Sequence, residues 1–229
     1  MAVCTKEEEY RVHDVEKFIG GFRRFQHKYF GAHNALFNSL KAGQNPTTLV
    51  IGCSDSRVDP ALLTDCDPGD LFVVRNVANL VPPFERDGSH HGVSAAIEYA
   101  VCDLEVQQII VLGHSGCGGI RGLMRGYEPK TEANFVGNWV RIAQPAREHV
   151  LRELAHKSLD HQVRACEMAS IIVSLDNLMT FPFIAERVDA GSLALIGWYF
   201  DIQQGALYDF DQTRNGFVSL VGAPESANP

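Results

Sequence analysis

No run of about 18 uninterrupted apolar residues occurs in the 229-residue chain, so nothing in it reads as a membrane-spanning helix. The first residues, "MAVCTKEEEYRVHDVEKF", lack the apolar core of a secretory signal and carry too many acids for a transit peptide. The cytoplasm is the expected location, or an organelle stroma if a targeting segment has been removed. No cluster of lysines and arginines offers a phosphate footprint, and 28 acidic residues against 20 basic ones give a formal charge of -8. That balance excludes nucleic acid as an expected partner and leaves small molecules or proteins. The cysteines, at positions 4, 53, 66, 102, 117 and 166, lack the dense regular spacing of a secreted disulfide scaffold, which points to a reducing compartment. There is no internal repeat, low-complexity segment or shift in composition, so a single domain is expected over 1–229. Within it, 13–41 reads as an N-terminal helical arm and 222–229 as a flexible tail.

What is present alternates between two periodicities. Val15, Phe18, Ile19, Phe22, Phe25, Tyr29 and Phe30 recur at three- and four-residue spacings, the pattern of an amphipathic helix broken near Gly31. "TTLVIGC", "DLFVVRN" and "QQIIVLGH" read as strands, with a helix over "SHHGVSAAIEYAVCDLEV" and a short one over "CGGIRGLMRG". From Asn134 to about Thr180 the pattern is helical, with interruptions near Pro145 and at Ser158 to Asp160. "SLALIGWYFDI", "QQG" and "ALYDFD" then read as a hairpin. The fold class expected is α/β: a mostly parallel central sheet flanked by helices, with an antiparallel edge hairpin near the C-terminus.

Chemistry concentrates where two of these strands end. Cys53 closes the first apolar run in "LVIGCSDSRV", and His114 and Cys117 follow another in "VLGHSGCGG". In a parallel sheet the carboxyl ends of strands share one crevice, so Cys53 can converge on His114 and Cys117 despite their separation. Two thiolates and an imidazole suit Zn2+, and three protein ligands leave a fourth position for water or substrate. Taken alone, a cysteine at a strand end is usually an inert buried residue, and His-x-x-Cys is a weak signal; side by side the two support each other. Cys102, inside a helical apolar pattern, and Cys4 and Cys66, without His or Cys neighbours, read as structural.

Asp55 and Arg57 alternate with Cys53, which puts an acid and a base on one face of an extended segment. They read either as an ion pair holding a turn or as a dyad behind the metal. In the second reading Arg57 keeps Asp55 ionised, and Asp55 accepts a hydrogen bond from a zinc-bound hydroxide. Asp55 could also swing onto the zinc and shut the site.

"CSDSR" and "HSGCGG", with "RNVANLVPPF" between them and "AAIEYAV" before the second, resemble the β-class carbonic anhydrases in their plant-type and bacterial form. The resemblance spans roughly 15–215 and implies an enzyme for the reversible hydration of CO2 to bicarbonate and a proton. It implies one Zn2+ per chain on Cys53, His114 and Cys117, the Asp55–Arg57 dyad, and Gln44 as the active-site glutamine reaching across a dimer interface. Phe72, Val77 and Tyr99 match the family's apolar substrate lining, and Gly118 the glycine whose N–H faces the bound anion. A homodimer or higher homo-oligomer is implied, with the aromatic arm wrapping a second subunit. Val50 and Phe200 stand where some bacterial members have the tryptophan and tyrosine of a regulatory bicarbonate site, leaving only Arg75, so an open site with Asp55 paired to Arg57 is expected. Asp103 replaces the histidine that plant-like members use as proton shuttle, and His90 or His91 would have to substitute. The alternatives are hydrolysis of carbonyl sulfide or carbon disulfide on the same scaffold, and a noncatalytic zinc-stabilised binding protein.

Overall fold

The computed structural model describes residues 6–30, 35–87 and 90–224. The chain divides into two compact units, Met1–Gln44 and Asn45–Pro229. In the first, α1 (Lys6–Phe30) and α2 (Ala35–Leu40) are helical, and the expected break at Gly31 lies outside the described residues. Phe37 draws the rings of Phe25 and Phe30 to centroid distances of 5.6 and 4.7 Å. Phe18, Ile19 and Phe22 are left exposed, so the apolar stripe of α1 is only partly covered within its own unit.

The second unit is built on six strands: β1 (Thr48–Cys53), β2 (Leu71–Asn76), β3 (Gln108–His114), β4 (Ala194–Asp201), β5 (Ala206–Asp211) and β6 (Gly216–Val221). Their order is β2-β1-β3-β4-β5-β6; the first four are parallel, while β5 and β6 run antiparallel to their neighbours. Every residue of β1 is buried, because a parallel strand inside the sheet is covered on both faces and its sequence becomes a continuous apolar run. One core packs Leu49, Ile51, Ile97, Ile109, Val111 and Phe181; the other packs Cys53, Leu80, Cys117, Ile120, Val140 and Val163. The α/β architecture is the one expected, with a third antiparallel strand, β6, beyond the expected hairpin.

Local chemistry sets the helix ends. α3 (Pro60–Thr64) starts where the Asp59 carboxylate accepts the Ala61 and Leu62 N–H groups at 3.1 and 3.3 Å, with Pro60 in the first turn. The helix expected over 89–106 is α4 (Gly92–Glu98), which widens into a π turn at Tyr99–Asp103 as the Leu104 N–H reaches Tyr99 O at 3.0 Å. Then come α5 (Gly118–Arg125), α6 (Phe135–Val140), α7 (Gln144–Glu153), α8 (Leu159–Leu178, capped by Ser158) and α9 (Pro182–Asp189). Of these, α3 and α9 were not anticipated. α8 is a core helix that buries Val163, Cys166, Ile171 and Leu178 against the sheet, and no single described helix is long and apolar enough to cross a membrane.

Candidate metal centre

β1 and β3 pair in parallel with Gly52 opposite Leu112, so Cys53 and His114 leave the sheet at the same edge. The ligand atoms of Cys53, His114 and Cys117 lie within 4.8 Å of one another, and all three side chains are buried. The turn that returns Cys117 to this point needs Gly116, whose φ of +71° is costly for other residues. Gly119 allows the close approach of α5: a Cβ there would meet Val77 Cγ1 at 2.9 Å and Ala78 Cβ at 3.0 Å.

The donor set fits Zn2+. His114 Nδ1 lies 3.0 Å from Ser115 O, which fixes the tautomer with Nε2 bare. That Nε2 is buried without a hydrogen-bond partner and sits among two sulfurs, an arrangement a metal would satisfy. The neighbouring Cys117 thiol pulls Cys53 well below the usual thiol range against the effect of burial, while Cys117 itself is pushed far up by the same contact and by burial. Burial lowers His114, but the neighbouring Cys53 sulfur outweighs it and the imidazole ends above its ordinary value. Amides of Asp55 and Ala78 face Cys53, and those of Gly119 and Ile120 face Cys117, all favouring thiolate. Ala78 reaches this position in the left-handed region, φ 66°, and Asn79 follows it at φ 49°.

Asp55 and Arg57 do not alternate along a strand. β1 stops at Cys53, and the Arg57 N–H bonds back to Asp55 Oδ1 at 3.0 Å, folding the segment into an Asx turn. The turn brings the side chains together as a fork: Arg57 Nε to Asp55 Oδ1 at 2.9 Å and Nη2 to Oδ2 at 2.7 Å. The Arg57 guanidinium holds the Asp55 carboxyl well below the usual carboxylate range.

Val77 packs against Gly119 in the first turn of α5, its carbonyl accepting the Trp139 indole N–H at 2.7 Å and the residue 37% exposed. Space is open around Gly118 at the first turn of α5. Phe72 and Tyr99 contact each other at 5.9 Å, but they do not join the cluster of their own chain. Phe72 pairs with Leu49, and Asn76 with Cys53, so Phe72 sits four residues, about 13 Å, back along the sheet from the cysteine. Gln44 is exposed at the end of the first unit. Asp103 ends the π turn; of the two candidate proton carriers, His90 is exposed, while His91 Nε2 pairs with Asp87.

Several supports went unread in the sequence. Arg75 binds Cys53 O at 2.9 Å, Asp55 O at 2.6 Å and Asp59 Oδ2 at 2.9 Å, bracing the segment that carries both cysteine and dyad. Glu167, a buried carboxylate in the apolar stretch "ACEMASII", accepts the Cys117 N–H at 2.9 Å; that lone charge was the available signal. Val50 and Phe200 pack in one apolar cluster with Ile110 and Leu112.

Comparison with known proteins places this geometry. A family model described as carbonic anhydrase matches residues 48–207. The chain is 38% identical over 212 residues to a carbonic anhydrase of Synechocystis sp., covering 93% of this chain and 75% of the relative. It is 38% identical over 201 residues to beta carbonic anhydrase 3 of Arabidopsis thaliana, covering 86% and 78%. Among solved structures, that of the β-carbonic anhydrase CcaA superposes with a TM-score of 0.84 at 37% identity, covering 90% of this chain and 99% of that one. One described among two tetrameric β-carbonic anhydrases of Sordaria macrospora superposes with a TM-score of 0.70 at 29% identity, covering 90% and 97%.

Proposed function

This chain belongs to the β-carbonic anhydrase family and is an enzyme of that activity, and on that premise we propose that Cys53, His114 and Cys117 hold its Zn2+ while Asp55 and Arg57 orient the nucleophile that attacks CO2. The observation that carries this reading is the buried convergence of two sulfurs and a bare imidazole Nε2 at the ends of two parallel strands. When bound there, Zn2+ supplies the Lewis acidity that makes water a nucleophile near neutral pH.

The chain's own groups supply the rest. Asp55, kept ionised by Arg57, is an acceptor of fixed direction beside the ligands, so it holds the proton of the nucleophile and turns a lone pair toward the substrate. Val77 offers an apolar wall, and Gly118, the first residue of α5 with open space beside it, is placed for its N–H to meet the charge that develops on bicarbonate. Because both Asp55 oxygens are engaged by Arg57, the acid is restrained from becoming a fourth metal ligand, and the site is open. Arg75 is spent on Cys53, Asp55 and Asp59, and Val50 and Phe200 are packed together, which removes the groups a regulatory bicarbonate would need.

The working unit is at least a homodimer in this reading. Phe72 lies too far back along the sheet to line its own chain's site, and Tyr99 packs beside it, so they and Gln44 serve the site of a second copy. The exposed phenylalanines of α1 supply apolar surface for such an assembly, and the Sordaria macrospora relative is described as tetrameric. A reducing compartment, cytoplasm or stroma, follows from the need to keep Cys53 and Cys117 as thiolates.

Stopped-flow CO2 hydration by zinc-replete protein from about pH 6.5 to 9 tests the reading. Fast hydration retained toward the lower end is expected. Activity confined to the alkaline end contradicts the open site, and activity on carbonyl sulfide alone contradicts the substrate.

A further inference from the structure

One buried carboxylate touches the metal turn and takes part in no step above. Glu167 lies in the middle of α8, 3% exposed, with Oε1 accepting the Cys117 N–H at 2.9 Å and Oε2 accepting the Tyr199 hydroxyl at 3.0 Å. Burying a carboxylate in an apolar helix face is costly unless its oxygens are matched, and here both are. The amide it receives belongs to the residue that caps α5 and carries a metal-ligand sulfur. Fixing that amide fixes the peptide plane before Cys117, and so the direction in which its side chain leaves the backbone.

The other end of the same turn is held from the same wall. Ser115, whose carbonyl meets His114 Nδ1, donates its hydroxyl to Asp201 at 3.3 Å and accepts the Ile202 N–H at 2.9 Å. Asp201 pairs with Arg164 at 2.8 Å, and the Arg164 guanidinium lies over the Tyr199 ring at 5.4 Å. Arg164 and Glu167 are three residues apart on α8, and Tyr199 and Asp201 two apart on β4, so each pair shares a face of its element. Two residues from a helix and two from a strand thus hold a four-residue turn at both ends.

We propose that Glu167 is the positioning residue of the metal centre: itself anchored by the Tyr199 hydroxyl, Glu167 holds the Cys117 amide and so aims the Cys117 sulfur at the point where Cys53 and His114 converge. The proposal rests on the assignment of Cys53, His114 and Cys117 as ligands. It distinguishes Glu167 from a residue that merely fills the core, since a core role predicts loss of fold stability and leaves metal geometry alone.

The test measures zinc affinity by chelator competition, the absorption spectrum of the Co2+-substituted protein, and the thermal midpoint of the metal-free protein. Glu167→Met, which keeps volume but loses the acceptor, is expected to weaken zinc binding about 10- to 100-fold and to alter the Co2+–thiolate bands. Glu167→Gln, which keeps an acceptor for the amide, recovers most of both. Wild-type zinc affinity and an unchanged cobalt spectrum in Glu167→Met overturn the proposal whatever the thermal midpoint does, and so does a Gln variant as impaired as the Met variant. Should Glu167→Met not fold, Tyr199→Phe is read the same way: weakened zinc affinity supports the proposal, and wild-type affinity and spectrum overturn it. Wild-type protein that takes up neither metal overturns the ligand assignment, and the proposal with it.

Discussion

Arg57 grips Asp55 with two parallel bonds, Nε to Oδ1 at 2.9 Å and Nη2 to Oδ2 at 2.7 Å, and reaches past it to Gly116 O at 3.3 Å. One guanidinium thereby joins the turn after Cys53 to the turn before Cys117, using the fork geometry that a lysine lacks. Arg57→Ala should lower kcat/KM by about 10- to 100-fold, with Arg57→Lys recovering only part. Stopped-flow assays of the two variants check this; wild-type activity in either contradicts the role given to the fork.

The same pair sets a pH dependence of known sign. Asp55 has its folded pKa depressed by Arg57, so its contribution to stability is fully present above the unfolded carboxylate pKa, about 3.9, and is lost as pH falls through the lower folded value. With the Arg57 side chain 52% exposed, solvent screens the pair, and its worth is about 1 kcal/mol or less. Urea unfolding of wild type and Arg57→Ala should therefore differ by at most about that amount at pH 7, and the difference should start to shrink as pH falls below about 4 and vanish only once the folded pKa of Asp55 has been passed.

Adjacent glycines make a contrast that isolates packing from chemistry. A Cβ on Gly119 would meet Val77 and Ala78 at 2.9 and 3.0 Å, whereas one on Gly118 meets nothing within 4 Å. Gly119→Ala is expected to cost about 1–3 kcal/mol and to displace the Val77 turn, while Gly118→Ala keeps its N–H and folds at least as well as wild type. Thermal midpoints and zinc content of the two variants provide the check.

His91 pairs through Nε2 with Asp87, which raises its pKa above the ordinary value, with burial opposing and Glu85 adding to the effect. A raised histidine contributes stability that is fully present below its unfolded pKa, about 6.5, and is lost as pH rises through the folded one. NMR titration should find His91 above that value and Asp87→Asn should bring it down. If His91 relays the proton of each turnover, His91→Ala makes kcat more dependent on buffer concentration, and imidazole restores it. Unaltered buffer dependence removes His91 from that role.

How far the sequence could be read follows from the distance over which each feature is determined. β1 and β3 were legible because burial on both faces turns them into unbroken apolar runs, and the ligands because those runs end in Cys53 and in His114 with its glycine-rich turn. β6 was not, since an edge strand with Leu220 and Val221 half exposed has no core pattern to declare it. α3 and α9 are short helices whose starts rest on Pro60 and Pro182, where a proline reads as readily as a turn. Glu167 stayed hidden for another reason: its partners, Cys117 and Tyr199, are 50 and 32 residues away, so nothing local marks the carboxylate as matched.

The place of Phe72 in the sheet makes the expected substrate lining a matter of assembly, and that is directly testable. It packs against the core that holds Leu49 and Ile51, while Cys53 belongs to the other core, about 13 Å further along the sheet. A residue so placed can line a zinc site only in a second copy. Cys53→Ser, without a complete ligand set, and Phe72→Ala, with a damaged wall, should each be impaired as homodimers. In a mixed dimer, the chain carrying Phe72→Ala has an intact Cys53 and receives an intact Phe72 from its partner. Random reassembly of equal amounts makes half the dimers mixed, with one complete site in each, so the mixture should regain about a quarter of wild-type activity. If Phe72 acts within its own chain, the mixed dimer contains no complete site, and the activity of the mixture stays at the mean of the two variants.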